Sequence, residues 1–94
     1  MKDLKISDLE AHKRLEARLA RIEGQIHGVR DMIQREVYFT EIVQQLTAVR
    51  EALNKVFAEI IADAAEELLT RNEATDSTRH LRLMELVKII AKYG

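Results

Sequence analysis

The sequence contains no cysteine, no proline and no tryptophan, and only three glycines, two tyrosines and two phenylalanines. Without cysteine, disulfides, thiolate metal sites and thiol nucleophiles are excluded. The lack of proline and the few glycines favour long helices over a turn-rich β architecture. No charge-free apolar run approaches the roughly 18–20 residues of a membrane span, and the start shows no secretory leader. We therefore expect a soluble, cytoplasmic protein.

The composition is that of a small folded domain. Hydrophobic residues make up 47% and charged residues 33% of the 94 residues, which is too apolar for a disordered chain. We predict a single domain over residues 1–94. A chain this short buries only about 60–65% of its unfolded surface, so self-association is a natural supplement to its stability.

Two long stretches repeat apolar residues at alternating steps of four and three. The first contains Leu15, Leu19, Ile22, Ile26, Val29 and Ile33, and the second contains Ile42, Leu46, Val49, Leu53, Val56 and Ile60. This spacing is typical of helices that lie along other helices at a shallow angle. Because neither helix covers its apolar stripe alone, we predict an antiparallel hairpin packed on further helices.

The sequence predicts an all-α fold with helices over about 7–34, 39–71 and 76–92. Ser7 or Asp8 is suited to cap the first helix, because each offers a side-chain oxygen to the free N–H groups there. The third helix is short, and we expect Leu83, Leu86, Val87 and Ile90 to face inward.

Catalysis has little support in the residues. Serine occurs only at positions 7 and 77, so nucleophilic chemistry lacks good candidates, and we predict that the chain is not an enzyme. His12, His27 and His80 are not spaced as metal ligands. A hard cation near Asp63 and Glu67 remains open but weakly indicated, because one helix offers few convergent oxygens. We predict no cofactor.

Charge is unevenly distributed although the net charge is only −1. Basic residues prevail between positions 11 and 35 and acidic ones between 51 and 76, so we expect a positive and a negative end. Arg14, Arg18 and Arg21, the basic row, share one helix face. Such a row suits DNA phosphates, or equally a solvated face paired with nearby glutamates. Lys55 and Arg50 of the second helix can extend it.

Two runs carry a family resemblance. The run RLEARLARIEGQIHGVRDMI at 14–33 and the run EIVQQLTAVREALN at 41–54 resemble the CsoR/FrmR/RcnR family of small bacterial repressors. The resemblance implies a three-helix subunit with two long helices and one short helix. It further implies an antiparallel four-helix-bundle dimer, a disc-like tetramer, and operator DNA bound until an effector releases it. The positions that match the family's DNA-facing set are Arg14, Arg18, Arg21, Arg50 and Lys55.

The departure from the family lies at its sensor site. Phe39 stands where relatives carry a cysteine, and Ala64 and Leu68 stand where copper sensors carry a histidine and a cysteine; we call these three the former sensor positions. None offers an imidazole or a thiolate, so no metal is predicted there. Tyr38 and Glu85 match a tyrosine and a glutamate that are coupled in copper sensors, and we expect a hydrogen bond between them.

The residues and the resemblance together predict a DNA-binding repressor that has lost its usual sensor. Its effector is then a small molecule in an apolar pocket at the former sensor positions, a metal elsewhere, a partner protein, or nothing. The alternative is a helical-bundle structural or interaction module that no longer binds DNA. The expected partners are operator DNA and further copies of the chain, and a membrane is not among them.

Overall fold

The computed structural model describes residues 5–70 and 76–94, and these form three α-helices. The helices are α1 (Leu9–Gln34), α2 (Phe39–Thr70) and α3 (Asp76–Tyr93). The predicted all-α class and the pattern of two long helices and one short helix are confirmed. Residue 71, the predicted end of the second helix, lies outside the described residues. Among the described helices, none is long and apolar enough to cross a membrane.

The first helix begins at an acidic cap. The side chain of Asp8 accepts a hydrogen bond from the backbone N–H of Ala11 at 3.0 Å. This bond satisfies one of the N–H groups that the first turn leaves without a helical partner. Of the two candidates for this cap, Asp8 is the residue that serves, and α1 starts two residues later than the prediction.

The hairpin of α1 and α2 buries only half of each apolar stripe. Four residues form its core: Leu15 and Ile22 of α1, and Val49 and Val56 of α2. The alternate members of the two stripes stay exposed, and we call them the exposed seam. They are Leu19, Ile26, Ile33, Leu46, Leu53 and Ile60.

The third helix packs against α2. Leu86 of α3 is buried, and Leu68 of α2 is fully buried. Leu83 is partly buried, as predicted. Val87 and Ile90 are exposed, so the prediction that they face inward is wrong for this chain. The physical reason is that α3 packs against α2 alone and makes no packing contact with α1. Only a narrow stripe of α3 is therefore buried, and Val87 and Ile90 lie outside it.

The chain is elongated for its length. Its radius of gyration is 17.7 Å and its extents are 58 × 27 × 16 Å. A compact chain of this size has a radius of gyration of about 13 Å. The fold therefore spreads its apolar residues over a long, thin hairpin instead of enclosing them.

Candidate nucleic-acid interface

The basic row lies along the edge of α1 that borders α2. Arg14, Arg18 and Arg21 are all exposed. Their spacing of four and three residues keeps them on one side of the helix. The buried Leu15 and Ile22 next to them fix this side relative to α2. The helix packing thus sets the direction in which the row faces.

A shallow groove continues the basic row onto the second helix. It has a volume of about 240 Å³ and is bordered by Arg18, Arg21 and Gln25 of α1 and by Glu51 and Lys55 of α2. The structure therefore brings three of the five predicted DNA-facing side chains to one place. Long cationic side chains around a groove are suited to phosphate oxygens.

Two carboxylates of α2 contact the basic row, and we call Glu59 and Asp63 the carboxylate pair. Arg14 Nη2 lies 2.7 Å from Asp63 Oδ2, and Arg14 Nε lies 3.4 Å from Glu59 Oε2. Arg18 Nε lies 3.0 Å from the other oxygen of Glu59, Oε1. Partial desolvation lowers the pKa of Arg14, but the two carboxylates offset this effect and raise that pKa above its ordinary value. Arg14 therefore stays charged.

These contacts correct the expected charge separation. Basic and acidic residues that are distant in the sequence meet where α1 and α2 run side by side, so this part of the fold is not a positive end facing a negative end. These ion pairs were not predicted from the sequence. A usable signal was present, because both the arginines and the carboxylates are spaced four apart and antiparallel helices bring such pairs into register.

Arg50 lies apart from the groove. It is exposed on α2, five residues before Lys55. At 3.6 residues per turn, five residues correspond to a rotation of about 140° around the helix. One chain therefore does not bring Arg50 together with the other predicted DNA-facing residues.

The former sensor positions are also separated within one chain. Phe39 is 87% exposed at the first residue of α2, whereas Leu68 is 0% exposed near its last turn. Ala64 is partly buried. With a rise of 1.5 Å per residue, Phe39 and Ala64 lie about 37 Å apart along a continuous helix. An apolar pocket shared by all three positions requires a second chain.

Tyr38 and Glu85 are distant for the same reason. Tyr38 is exposed immediately before α2, while Leu86, the neighbour of Glu85, lines a cavity beside Ile61 and Ala64 near the other end of α2. The predicted hydrogen bond between Tyr38 and Glu85 therefore does not lie within one chain.

A cavity at the other end of α2 from Phe39 has a volume of about 900 Å³. It lies between the segment that precedes α1, the second half of α2, and α3. Its apolar lining includes Ile60, Ile61, Ala64, Leu86 and Ile89. Its polar lining includes Ser7, His12, Asp63, Glu66, Glu67 and Thr70.

Metal-binding side chains do not converge in the part of the chain that the structure describes. Over residues 5–70 and 76–94, no group of three or more His, Asp or Glu side chains is placed to hold an ion. The Nε2 of His12 makes a hydrogen bond with the carbonyl oxygen of Ile6 at 2.7 Å. Asp63, the proposed oxygen ligand, is bound to Arg14.

Comparison with known proteins agrees with this architecture. The profile of a family described as metal-sensitive transcriptional repressor matches residues 11–92. A variant of the formaldehyde-responsive regulator FrmR from Salmonella enterica serovar Typhimurium superposes with a TM-score of 0.81 at 27% identity. That match covers 94% of this chain and 99% of the FrmR chain.

Curated relatives include two copper sensors. An uncharacterized protein in the bioA 5′ region of Serratia marcescens is 28% identical over 81 residues, which cover 86% of this chain and 89% of that protein. The copper-sensing transcriptional repressor CsoR of Bacillus subtilis is 38% identical over 48 residues, which cover 51% of this chain and 48% of CsoR. The copper-sensing transcriptional repressor RicR of Mycobacterium tuberculosis is 33% identical over 54 residues, which cover 57% of this chain and 56% of RicR.

The fold is that of a small helical regulator with a long, incompletely covered hairpin. The chain belongs to the family of metal-sensitive transcriptional repressors, because the family profile spans nearly its whole length. The resemblance to the CsoR/FrmR/RcnR family is thereby confirmed.

Proposed function

We propose that the chain is a DNA-binding transcriptional repressor that contacts operator DNA through the basic row and Lys55. The observation that carries this proposal is the gathering of Arg18, Arg21 and Lys55 around one groove between α1 and α2. Cationic side chains at this spacing bind successive phosphates and release counterions, which drives association. Such a regulator acts where the DNA is, in the cytoplasm, and it is not an enzyme.

The exposed seam supports self-association as part of this function. Six large apolar side chains repeat along one side of the hairpin at heptad spacing and stay 37–58% exposed in the single chain. A second copy presents the same stripe, so two hairpins can bury both in an antiparallel four-helix bundle. A dimer also doubles the number of basic rows, and pairing of dimers into a disc-like tetramer doubles it again.

We further propose that the family's usual sensor site is lost. Phe39, Ala64 and Leu68 offer neither imidazole nor thiolate, and soft or borderline metals need one of these. The cavity of about 900 Å³ beside Ala64 is the proposed place for a small organic effector, because its apolar lining suits such a ligand. A metal elsewhere, a partner protein and constitutive repression are the other possibilities for regulation.

A second function has one specific observation in its favour. Arg14 and Arg18 already form ion pairs with Glu59 and Asp63. Such pairs are typical of a solvent-exposed helix surface whose charges stabilise the fold and bind no ligand. A helical-bundle interaction module without DNA binding is therefore the alternative.

Fluorescence anisotropy on DNA from upstream of the protein's own gene, against scrambled DNA over a salt series, separates the two functions. The repressor binds the upstream DNA selectively, with a log–log salt slope of about 0.9 per contacted phosphate. Arg21→Glu abolishes that binding, whereas the matched control Lys88→Glu, on the exposed face of α3, retains it. An absence of binding at low salt refutes the repressor function and leaves the interaction module.

A further inference from the structure

The carboxylate pair occupies some of the arginine N–H groups that a phosphate can bind. Arg14 gives Nε to Glu59 and Nη2 to Asp63, and Arg18 gives Nε to the second oxygen of Glu59. Glu59 therefore bridges two members of the basic row. A guanidinium binds carboxylates and phosphates through the same planar set of N–H donors, so the two kinds of anion compete for it.

The contacts are accessible enough to exchange. The side chains of Arg14 and Arg18 are 41% and 44% exposed, while those of Glu59 and Asp63 are 27% and 21% exposed. Water reaches the arginines from outside while the carboxylates hold them from the α2 side. Exposed ion pairs of this kind are weak, so an approaching phosphate can displace or share them.

The third member of the row differs. Among the described residues, no carboxylate forms an ion pair with Arg21, although it lines the groove beside Arg18. Phosphate contact by Arg21 therefore requires no exchange, and contact by Arg14 and Arg18 does. The three arginines, which look equivalent in the sequence, are inequivalent in the fold.

We propose that Glu59 and Asp63 set the DNA affinity of the chain by holding Arg14 and Arg18 in the unbound state. The inference rests on the proposed DNA-binding function and assigns two residues of α2 a role within it. Each DNA contact by Arg14 or Arg18 replaces a carboxylate with a phosphate. The exchange lowers the affinity for any phosphate backbone.

The decisive experiment measures the affinity for scrambled duplex DNA over a salt series with the full chain and the variant Glu59→Gln. Glutamine keeps the size of the side chain and removes its charge. We expect Glu59→Gln to bind roughly three- to ten-fold more tightly at about 0.15 M salt, with a steeper salt slope. Asp63→Asn removes one of the two ion pairs of Arg14 and none of Arg18, so it is expected to have a smaller effect of the same sign.

A matched control separates this local effect from the overall change in charge. Glu41→Gln removes one negative charge from an exposed site in the first turn of α2, about 27 Å from Glu59 along the helix. It is expected to leave the affinity within about two-fold. In a chain that carries Arg14→Gln and Arg18→Gln, the substitution Glu59→Gln is expected to add nothing, because no arginine remains to be freed.

Three results overturn the inference. Unchanged or weaker binding by a folded Glu59→Gln overturns it while the proposed function stands, provided that the parent chain binds DNA. An equal gain from Glu41→Gln overturns it as well, because the effect is then general charge. A lack of binding in the parent chain and every variant overturns both proposals. Circular dichroism verifies the helices of each variant, and Asp63→Asn carries the test if Glu59→Gln is unfolded.

Discussion

The backbone N–H of Val37 donates to the carbonyl oxygen of Met32 at 3.3 Å, and the N–H of Glu36 donates to that of Ile33 at 3.2 Å. This pair of bonds is a Schellman motif, which ends α1 and turns the chain toward α2. The motif requires a left-handed residue, and Glu36 takes that position with a φ of 57°. A left-handed conformation is unfavourable for a residue with a side-chain Cβ. The hairpin therefore holds a residue that is not glycine at a position where glycine is preferred.

Replacing Glu36 with glycine is expected to stabilise the fold. Glycine adopts the left-handed conformation without the steric cost, so Glu36→Gly should raise the free energy of unfolding by about 1 kcal/mol. Urea unfolding followed by circular dichroism measures this change. Glu23→Gly, in the exposed middle of α1, is the control and should lower the free energy of unfolding by about 1 kcal/mol. A loss of stability in Glu36→Gly contradicts the account of the turn.

The sequence predicted the helices better than it predicted what they contact. Apolar spacing located α1 and α2, and the side-chain oxygen of Asp8 located the start of α1, because both signals are local. The predicted helix bounds placed the connection between residues 34 and 39, but they did not predict its left-handed residue, because Glu36 is not the glycine that marks such turns. The contact of Glu59 with Arg18 depends on the register of two antiparallel helices, which no single stretch of sequence encodes. Which half of an apolar stripe is buried within one chain likewise depends on how the helices dock.

A charge in the exposed seam is expected to prevent self-association. Leu53 is 44% exposed in the single chain, and a second hairpin laid on the exposed seam would bury it. Leu53→Asp places an unpaired charge there, which costs several kcal/mol in a desolvated interface and raises the dissociation constant on the order of 100-fold or more. Sedimentation velocity measures the resulting shift to lower mass.

Ala58→Asp provides the matched control, because Ala58 is exposed on α2 away from the exposed seam. It introduces the same charge and is expected to leave the assembly intact. If Leu53→Asp sediments like the parent chain, the exposed seam is not the interface between copies.

The contact between α2 and α3 is expected to depend on Leu68. Its side chain is fully buried, so Leu68→Ala leaves a cavity and should lower the free energy of unfolding by about 2–5 kcal/mol. The neighbouring Leu69 is mostly exposed, and Leu69→Ala should change stability by no more than about 0.5 kcal/mol. Urea unfolding of the two variants compares them directly. Equal losses of stability in Leu68→Ala and Leu69→Ala would mean that Leu68 is not part of the core.

Restoring donor atoms at the former sensor positions tests both the loss of the sensor and the pairing of copies. The parent chain lacks imidazole and thiolate at Phe39 and Ala64, so excess Cu(I) or Zn(II) should leave its melting temperature unchanged. A chain with Phe39→Cys and Ala64→His offers one thiolate and one imidazole. It should be stabilised in proportion to the logarithm of metal concentration, by about 2.7 kcal/mol at 100 times the dissociation constant.

The two substituted positions lie about 37 Å apart on one helix, so the restored site can form only between two chains. Adding Leu53→Asp to the double variant is therefore expected to abolish the metal-dependent shift, while adding Ala58→Asp is expected to preserve it. Thermal unfolding followed by circular dichroism measures all four chains. A metal shift in the parent chain would show that a metal binds outside the former sensor positions, since these offer no imidazole or thiolate. A shift that survives Leu53→Asp would show that the metal binds within a single chain, away from any interface that the exposed seam forms.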